Sequence, residues 1–460
     1  MENPFKQLFE KQRLKSLELR KKSYSNRIQQ LTLLEKWIFS NRRAIQEAIF
    51  KDFGKSAEEV DITEIYPVLS ELRKIKRNLK YWVRPQQVAN PMTYWGTQSQ
   101  IYYEPKGTSL IIAPWNYPFQ LSIGPVLSSI AAGNTIFLKP SEFTLHTSAL
   151  LSRMAAEVFQ PEYFTVVEGD YKISGQLLEL PFDHIFFTGS PKVGKIVMEA
   201  ASKNLTSVTL ELGGKSPAIV DETASISDTA EKLAWGKWLN AGQTCVAPDY
   251  VYCHASVYDK LLQQLEVQVE KIYGNRSKYT AIVSDRHLSR LTAALQADID
   301  LGAKVIFGNT VADGKLSPTV ITQLPESSLF LEEEIFGPIL PVLKYEDLGN
   351  VIAAINNQPK PLAFYHFSGS KRKMKQTEQA VSSGTMCFND CVIQFVHPEL
   401  PIGGVNNSGI GKAHGYHGFI AFSNEKAIVR QRKGFTMAKT LYPPFDFIKK
   451  ITLELLLKYF

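Results

Sequence analysis

From the start of the chain to about residue 82, apolar positions recur at helical spacing. Leu31, Leu33, Leu34, Trp37 and Ile38 form one stripe; Ile45, Ile49 and Phe50 form another. Residues three and four apart share a helix face, so these stripes predict helices that each bury one side. A further periodic stretch runs from Ile62 to Trp82. The texture changes at Arg84-Pro85. Residues 85–105 alternate polar and aromatic positions, with Gln98, Gln100, Tyr102 and Tyr103, and predict an extended hairpin.

From Thr108 short apolar runs alternate with helical ones. Ser109–Ala113, Thr135–Leu138, Phe164–Val167 and His184–Phe187 read as strands, with helical residues up to Ala132 and again near His146–Phe159. A second such region starts near Val208. Helices are expected up to about Ala303, with strands at Val305–Phe307, Thr319–Ile321 and Leu362–Tyr365. Apolar strands alternating with helices argue for an α/β fold with parallel sheets covered on both faces. Phe445–Phe460 is apolar with interspersed lysines, as in a helix docked on a partner subunit. A cover over a substrate entrance, or weak contact with a membrane surface, are the alternatives.

Composition narrows the class. The chain has 460 residues, 44% hydrophobic and 21% charged, an ordinary globular balance. The net charge of +7 comes from clusters far apart in sequence and without any nucleic-acid motif, so no nucleic-acid partner is expected. The N-terminus shows no signal-peptide pattern, and no segment approaches the ~20 apolar residues of a membrane span. Four cysteines make no disulfide framework, and low cysteine use fits a reducing compartment, so a cytoplasmic location is expected. Cys387 and Cys391, with His397 the only nitrogen ligand near them, are better read as core thiols than as a metal half-site, and no metal is expected.

The chemistry concentrates in a few dense runs. In Asn240-Ala-Gly-Gln-Thr-Cys245 a thiol follows a glycine turn, which gives it room and backbone donors. Glu211-Leu-Gly-Gly-Lys-Ser-Pro217 offers a carboxylate beside glycines. Pro114-Trp-Asn-Tyr-Pro118 sits just past an apolar strand, at the sheet edge where ligands bind. These suggest Cys245 as nucleophile, Glu211 as the base that activates water, and the Asn116 amide as donor to an oxyanion. No histidine lies near these runs in sequence, and His414 and His417 are read as structural or solvated. A phosphate site is suggested where Phe187–Gly194 follows a strand and opens a helix, with Gly189, Ser190 and Gly194 as backbone donors. Lys139 and Glu142, in Lys-Pro-Ser-Glu, could hold ribose hydroxyls.

Together these runs resemble the aldehyde dehydrogenase superfamily, within it the class 3 or fatty-aldehyde branch. The resemblance rests on Pro-Trp-Asn-Tyr-Pro (114–118), Leu-Lys-Pro-Ser-Glu (138–142), Phe-Thr-Gly-Ser (187–190), Glu-Leu-Gly-Gly-Lys-Ser-Pro (211–217), Gly-Gln-Thr-Cys-Val-Ala-Pro-Asp-Tyr (242–250) and Glu-Glu-Ile-Phe-Gly-Pro (333–338). It spans about residues 60–430. It implies NAD as cofactor, with NADP also accepted, Glu334 at the nicotinamide ribose and Phe336 beside the nicotinamide ring. It also implies a Rossmann-like cofactor domain (1–82 and 106–208), an α/β catalytic domain (209–418), a small β oligomerisation flap (83–105 and 419–437, with a late strand near Ala427–Arg432) and a helical tail (438–460). A homodimer is the corresponding expectation. The run Pro401–Gly411 departs from the family pattern at Ile402, Asn406 and Ile410.

The reading is an aldehyde dehydrogenase acting through a cysteine thiohemiacetal and a thioester. Tyr66, Tyr117, Trp235 and Phe395 are candidates to line an apolar tunnel for medium or long aliphatic, or aromatic, aldehydes. The rivals are a cofactor-independent thiol esterase and a non-enzymatic scaffold.

Overall fold

The computed structural model describes residues 3–275 and 278–459; Met1, Glu2 and Phe460, which belong to the terminal stretches read above, lie outside the described residues. The N-terminal stripes form the helices Tyr24–Ser40 and Arg42–Phe53, and the stretch before Trp82 becomes the helix Tyr66–Trp82. Leu31, Leu34, Ile38, Ile45 and Ile49 are fully buried, whereas Leu33 and Phe50 fall off the stripe and stand exposed. The second helix of the pair ends at Gly54, whose φ of 66° closes a left-handed cap.

A six-stranded sheet is built in the spatial order Gly409–Ile410, Ser207–Leu212, His184–Gly189, Thr108–Ile112, Thr135–Lys139, Phe164–Val166. All its pairings are parallel except that of Gly409–Ile410 with Ser207–Leu212. From Thr108–Ile112 the chain winds first to one side of the sheet and then to the other. The order therefore reverses between Thr108–Ile112 and His184–Gly189, leaving a crevice at their carboxyl ends.

A seven-stranded sheet follows, in the order Lys304–Phe307, Thr319–Thr322, Ile339–Tyr345, Tyr250–His254, Pro217–Val220, Ala363–Phe367, Thr385–Phe388. It is parallel apart from its first pair. Four of these strands were not anticipated. Pro217–Val220 opens on a proline, Tyr250–His254 carries tyrosine, cysteine and histidine, Thr385–Phe388 is short, and Ile339–Tyr345 is interrupted by Pro341. In a sheet covered on both faces burial does not alternate along a strand, so a period of two gives no signal.

A third sheet pairs Gln98–Pro105 antiparallel with Ser423–Arg430 over their whole length, and with Gln86–Gln87 on the other side. The hairpin expected over 85–105 is thus reduced to a two-residue first strand, and the late strand begins four residues before Ala427. Among the described residues, the outer edge of Ser423–Arg430 is unpaired. The helix Phe447–Tyr459 has no buried residue, and its Phe447, Ile448 and Leu457 side chains are more than 70% exposed. Among the described residues no helix is long and apolar enough to cross a membrane.

Candidate active site

A cavity of about 680 Å³ opens at the crevice of the six-stranded sheet, and Asn116, Glu211, Cys245, Glu334, Phe336 and His414 are among its lining residues. Asn116, Glu211 and Cys245 come from three segments singled out for chemistry, the first of them about a hundred residues before the other two. The switch in strand order brings the Asn116 loop and the Glu211 strand together.

Cys245 is presented by an unusual backbone. After the helix Ile226–Trp238, the residues Asn240, Ala241 and Gly242 have φ of 53°, 53° and 73°. Only at glycine is that region free of strain, and a non-glycine residue held there costs on the order of 1–3 kcal/mol. Gly242 is required on a second count: a Cβ there would stand 2.2 Å from the Gly337 carbonyl oxygen. Hydrogen bonds hold the turn. Gln243 donates from Nε2 to the carbonyls of Asn240 and Ala281, both at 3.0 Å, and its Oε1 accepts from the Val283 N–H at 3.0 Å. The Cys245 side chain is left partly exposed. Burial of its surroundings pushes the thiol up to about 12, the nearby Glu334 and Glu211 carboxyls add to that, and backbone N–H groups of Cys245 and Val246 oppose it. Burial thus favours the protonated thiol.

Glu211 lies on the strand Ser207–Leu212, opposite Gly409. Its Oε1 is buried without a hydrogen-bond partner among the described residues. Burial pushes the carboxyl up to about 8, against the pull of His414 and Lys412. Gly403 leaves space for it, since a Cβ there would approach Oε1 to 3.0 Å. Burial disfavours charge on His414, but Glu71, 3.4 Å from Nδ1, and Glu211 outweigh it and raise its pKa. Glu71 is itself anchored by the Gly415 N–H at 3.0 Å. Asn116 donates from Nδ2 to the Gln243 carbonyl at 3.1 Å, and its own carbonyl accepts from Asn240 Nδ2 at 2.8 Å. The amide has a second hydrogen to offer.

The other end of the cavity is built around Glu334. Burial and Asp249 push this carboxyl up to about 8, opposed by the Gly214 N–H, Lys215 and Lys237. Gly213 makes room: a Cβ there would come within 2.1 Å of Glu334 Oε2. Phe336 holds a left-handed φ of 49° and sets its ring edge-on to Trp115 at 5.2 Å. Ser190 caps the helix Pro191–Ser202, accepting from the Val193 N–H at 3.4 Å, and Gly189, Ser190, Lys192 and Lys195 line the cavity here. Backbone donors and lysines at a helix start suit an anionic group, and a carboxyl in a glycine cradle suits hydroxyls. The residues fit a dinucleotide.

The remaining expected residues fall elsewhere. Gly194 spends its N–H on the Ser190 carbonyl at 2.9 Å, and a Cβ there would meet Leu212 Cδ2 at 2.7 Å. It is a helix–sheet packing glycine and not a phosphate donor. Lys139 Nζ is buried and donates to the Pro140 carbonyl and, at 3.0 Å, to Glu142; neither residue lines the cavity, although Lys139 ends a strand of the same sheet. Tyr66 is 63% exposed on the first turn of its helix and does not line the cavity. Trp235 packs against the core of the seven-stranded sheet, also outside the lining, and Tyr117 lies behind it, its hydroxyl 2.6 Å from Thr244 Oγ1. Phe395 does line it, edge-on to His414 at 5.2 Å.

His414 and Glu71 escaped the sequence reading, which set the histidines aside. The available signal was Ala413-His-Gly415, directly after the glycine-rich run ending at Gly411. His287, on Trp115 at 5.3 Å, is a second cavity histidine.

Comparisons with known proteins find relatives over most of the chain. A family model described as the aldehyde dehydrogenase family matches residues 5–428. A 4,4'-diaponeurosporen-aldehyde dehydrogenase of Staphylococcus aureus is 42% identical over 414 residues, covering 89% of this chain and 90% of its own. The Bos taurus protein named aldehyde dehydrogenase family 3 member B1 is 39% identical over 421 residues, covering 90% and 89%. A solved structure described as the substrate-bound state of Staphylococcus aureus AldH aligns with a TM-score of 0.95 at 39% identity, covering 99% of this chain and all of that one.

Proposed function

The chain belongs to the aldehyde dehydrogenase family, NAD(P)-dependent oxidoreductases, and from that premise we propose that it oxidises a medium or long aliphatic, or an aromatic, aldehyde to the carboxylic acid through a thioester on Cys245. The observation that carries the reading is the convergence of the Cys245 thiol, the Glu211 carboxyl with its unpartnered oxygen and the Asn116 amide on one cavity.

The sulfur attacks the aldehyde carbon as the thiol proton passes to cavity water. The carbonyl oxygen gains charge, and the free hydrogen of Asn116 Nδ2, with the Cys245 N–H, holds it; such a donor is worth ~2.7–4 kcal/mol of barrier. NAD(P)+, when bound, would supply the hydride acceptor. Departure of the hydrogen from the thiohemiacetal carbon with its electron pair leaves a thioester. Glu211, once ionised, takes a proton from water as the water oxygen attacks the thioester carbon; the carbon–sulfur bond breaks, the sulfur takes that proton back as a thiol, and the acid is freed. His414 and Lys412 favour that ionised form.

Glu334 would hold the nicotinamide ribose, Phe336 would flank the ring, Gly189 and Ser190 would meet the pyrophosphate, and Lys139 with Glu142 would meet the adenosine ribose. Trp115, Leu121, Pro125, Phe336 and Phe395 give the cavity an apolar lining, which supports an apolar aldehyde. The Staphylococcus aureus relative, named for 4,4'-diaponeurosporen-aldehyde, supports the long-chain end of that range. The open edge of Ser423–Arg430 supports pairing with a second copy, and the exposed apolar helix Phe447–Tyr459 would dock in the same dimer. A cytoplasmic location goes with this reading.

An aldehyde chain-length panel, run with NAD and NADP side by side and read by reduced nicotinamide, tests it. Turnover rising with apolar chain length is expected. Ester hydrolysis without any reduced nicotinamide from any aldehyde would leave the esterase in its place.

A further inference from the structure

Beneath the Asn116 loop, away from the reacting atoms, lies a cluster of three charged side chains, two of them buried and the third, Glu59, half-buried. The short helix Ala57–Val60 runs into a π-helical turn, Asp61–Ile65, before the helix Tyr66–Trp82. The wider turn is closed by the Tyr66 N–H on the Asp61 carbonyl. In a regular α-helix residues five apart point about 140° apart. Here Glu59 and Glu64, five apart, both turn inward. Lys55 and Glu64 are fully buried and paired at 2.9 Å.

Each carboxylate grips a different part of the catalytic backbone. Glu64 Oε2 accepts from the N–H groups of Phe119 and Gln120, both at 3.0 Å, where the Asn116 loop enters the helix Gln120–Ala132. Glu59 Oε1 accepts from the Asn240 N–H at 2.9 Å, on the first left-handed residue of the Cys245 turn, and its Oε2 accepts from Thr280 Oγ1 at 3.3 Å. Asn240 Nδ2 then donates to the Asn116 carbonyl at 2.8 Å and to the Gln243 carbonyl at 3.1 Å. Lys55 Nζ completes the frame 4.5 Å from the centre of the Tyr117 ring, whose hydroxyl meets Thr244, the residue before Cys245.

We propose that Glu59, Glu64 and Lys55 are positioning residues that lock the Asn116 amide to the Cys245 turn, and that Asn240 is the link through which Glu59 acts. The proposal rests on the reading of Asn116 as oxyanion donor and Cys245 as nucleophile. An amide and a sulfur carried by segments over a hundred residues apart must keep their geometry to fractions of an ångström, and misplacement of about 1 Å can cost 10²-fold in rate. A carboxylate fixed by two donors holds the strained Asn240 turn where its side chain reaches the Asn116 carbonyl. None of the three charged side chains lines the cavity, so their influence runs through backbone placement.

The test is a double-mutant cycle on the full-length protein, made from Glu59→Gln, Asn116→Ala and the pair, reading kcat/KM for one aldehyde and KM for NAD. Glu59→Gln is expected to lower kcat/KM about tenfold with KM for NAD within about twofold of the parent. In the double variant its effect vanishes, leaving the loss of Asn116→Ala alone, because the group it positions is gone. Losses that multiply, or a Glu59→Gln enzyme as active as the parent, overturn the proposal. If Asn116→Ala alone loses no activity, it is the oxyanion reading beneath the proposal that fails. Asn240→Gly tests the link if Glu59→Gln does not fold, because glycine accepts the left-handed φ and keeps the N–H for Glu59 while deleting the Nδ2 donor. It should show the same non-additivity with Asn116→Ala, and multiplicative losses there overturn the proposal as well.

Discussion

The two ends of the cavity each present a buried carboxyl to Cys245, and both carboxyls are pushed up to about 8, yet they are held in opposite ways. Glu211 keeps one oxygen without a partner and has cationic neighbours in His414 and Lys412. Glu334 sits in the Gly213–Gly214 cradle, receives the Gly214 N–H, and belongs to a network with Asp249, Lys215 and Lys237. An equal shift therefore does not mean an equal task. The carboxyl with a free oxygen is suited to take a proton from water, and the cradled one to hold a ligand's hydroxyls in place.

The largest expected effect removes what both ends serve. Cys245→Ala should lower turnover by more than about 10⁴-fold, while calorimetry still shows NAD binding at the Glu334 end. Glu211→Gln comes next: steady-state turnover should fall by about 10²- to 10⁴-fold, with the first-turnover burst of reduced nicotinamide retained. Glu334→Gln should do the reverse, raising KM for NAD about tenfold and sparing thioester hydrolysis, since it replaces the carboxyl placed to bind the ligand's hydroxyls with an amide. Equal kinetic signatures from these two variants would erase the distinction between the ends.

The pH dependence sharpens the same contrast. Glu211 acts only when ionised, so thioester hydrolysis measured by single turnover should rise as pH climbs through about 8 and then level off, and Glu211→Gln should remove that rise. Stability should respond with the opposite sign. Burial raises the folded-state pKa from 4.5 to about 8, so the folded protein holds a proton that the unfolded chain has lost across that window. This contribution to stability is fully present below about 4.5 and is lost as pH rises to about 8. Compared by thermal unfolding, Glu211→Gln should lose less of its midpoint than the parent between pH 5 and 8.

What the sequence revealed follows from how each part is encoded. The Cys245 turn was legible because thiol and backbone requirement share one short run with Gly242, and the Glu211 run because its carboxyl stands two residues before Gly213, the glycine that makes room for Glu334. The α/β class was legible because buried parallel strands such as Thr108–Ile112 are unbroken apolar runs. Tyr66 and Trp235 were chosen for being aromatic, but the helical period that buries Val68 and Leu69 turns Tyr66 to solvent. Glu59, Glu64 and Glu71 look like ordinary surface charges on an amphipathic helix. Only a π-turn for the first two, and a partner over three hundred residues away for Glu71, give them interior positions. His414 was missed for the same reason, because its neighbours Glu71 and Glu211 are distant in sequence.

The central claim is a covalent one, and intact-protein mass spectrometry of the Glu211→Gln enzyme after mixing with NAD and aldehyde tests it most directly. The account predicts one acyl group per chain, of the aldehyde's mass less two hydrogens, mapped to the peptide carrying Cys245 and matched by one equivalent of reduced nicotinamide. Reduced nicotinamide forming at the parent rate with Cys245 unmodified, or an acyl group mapped to another residue, would contradict it.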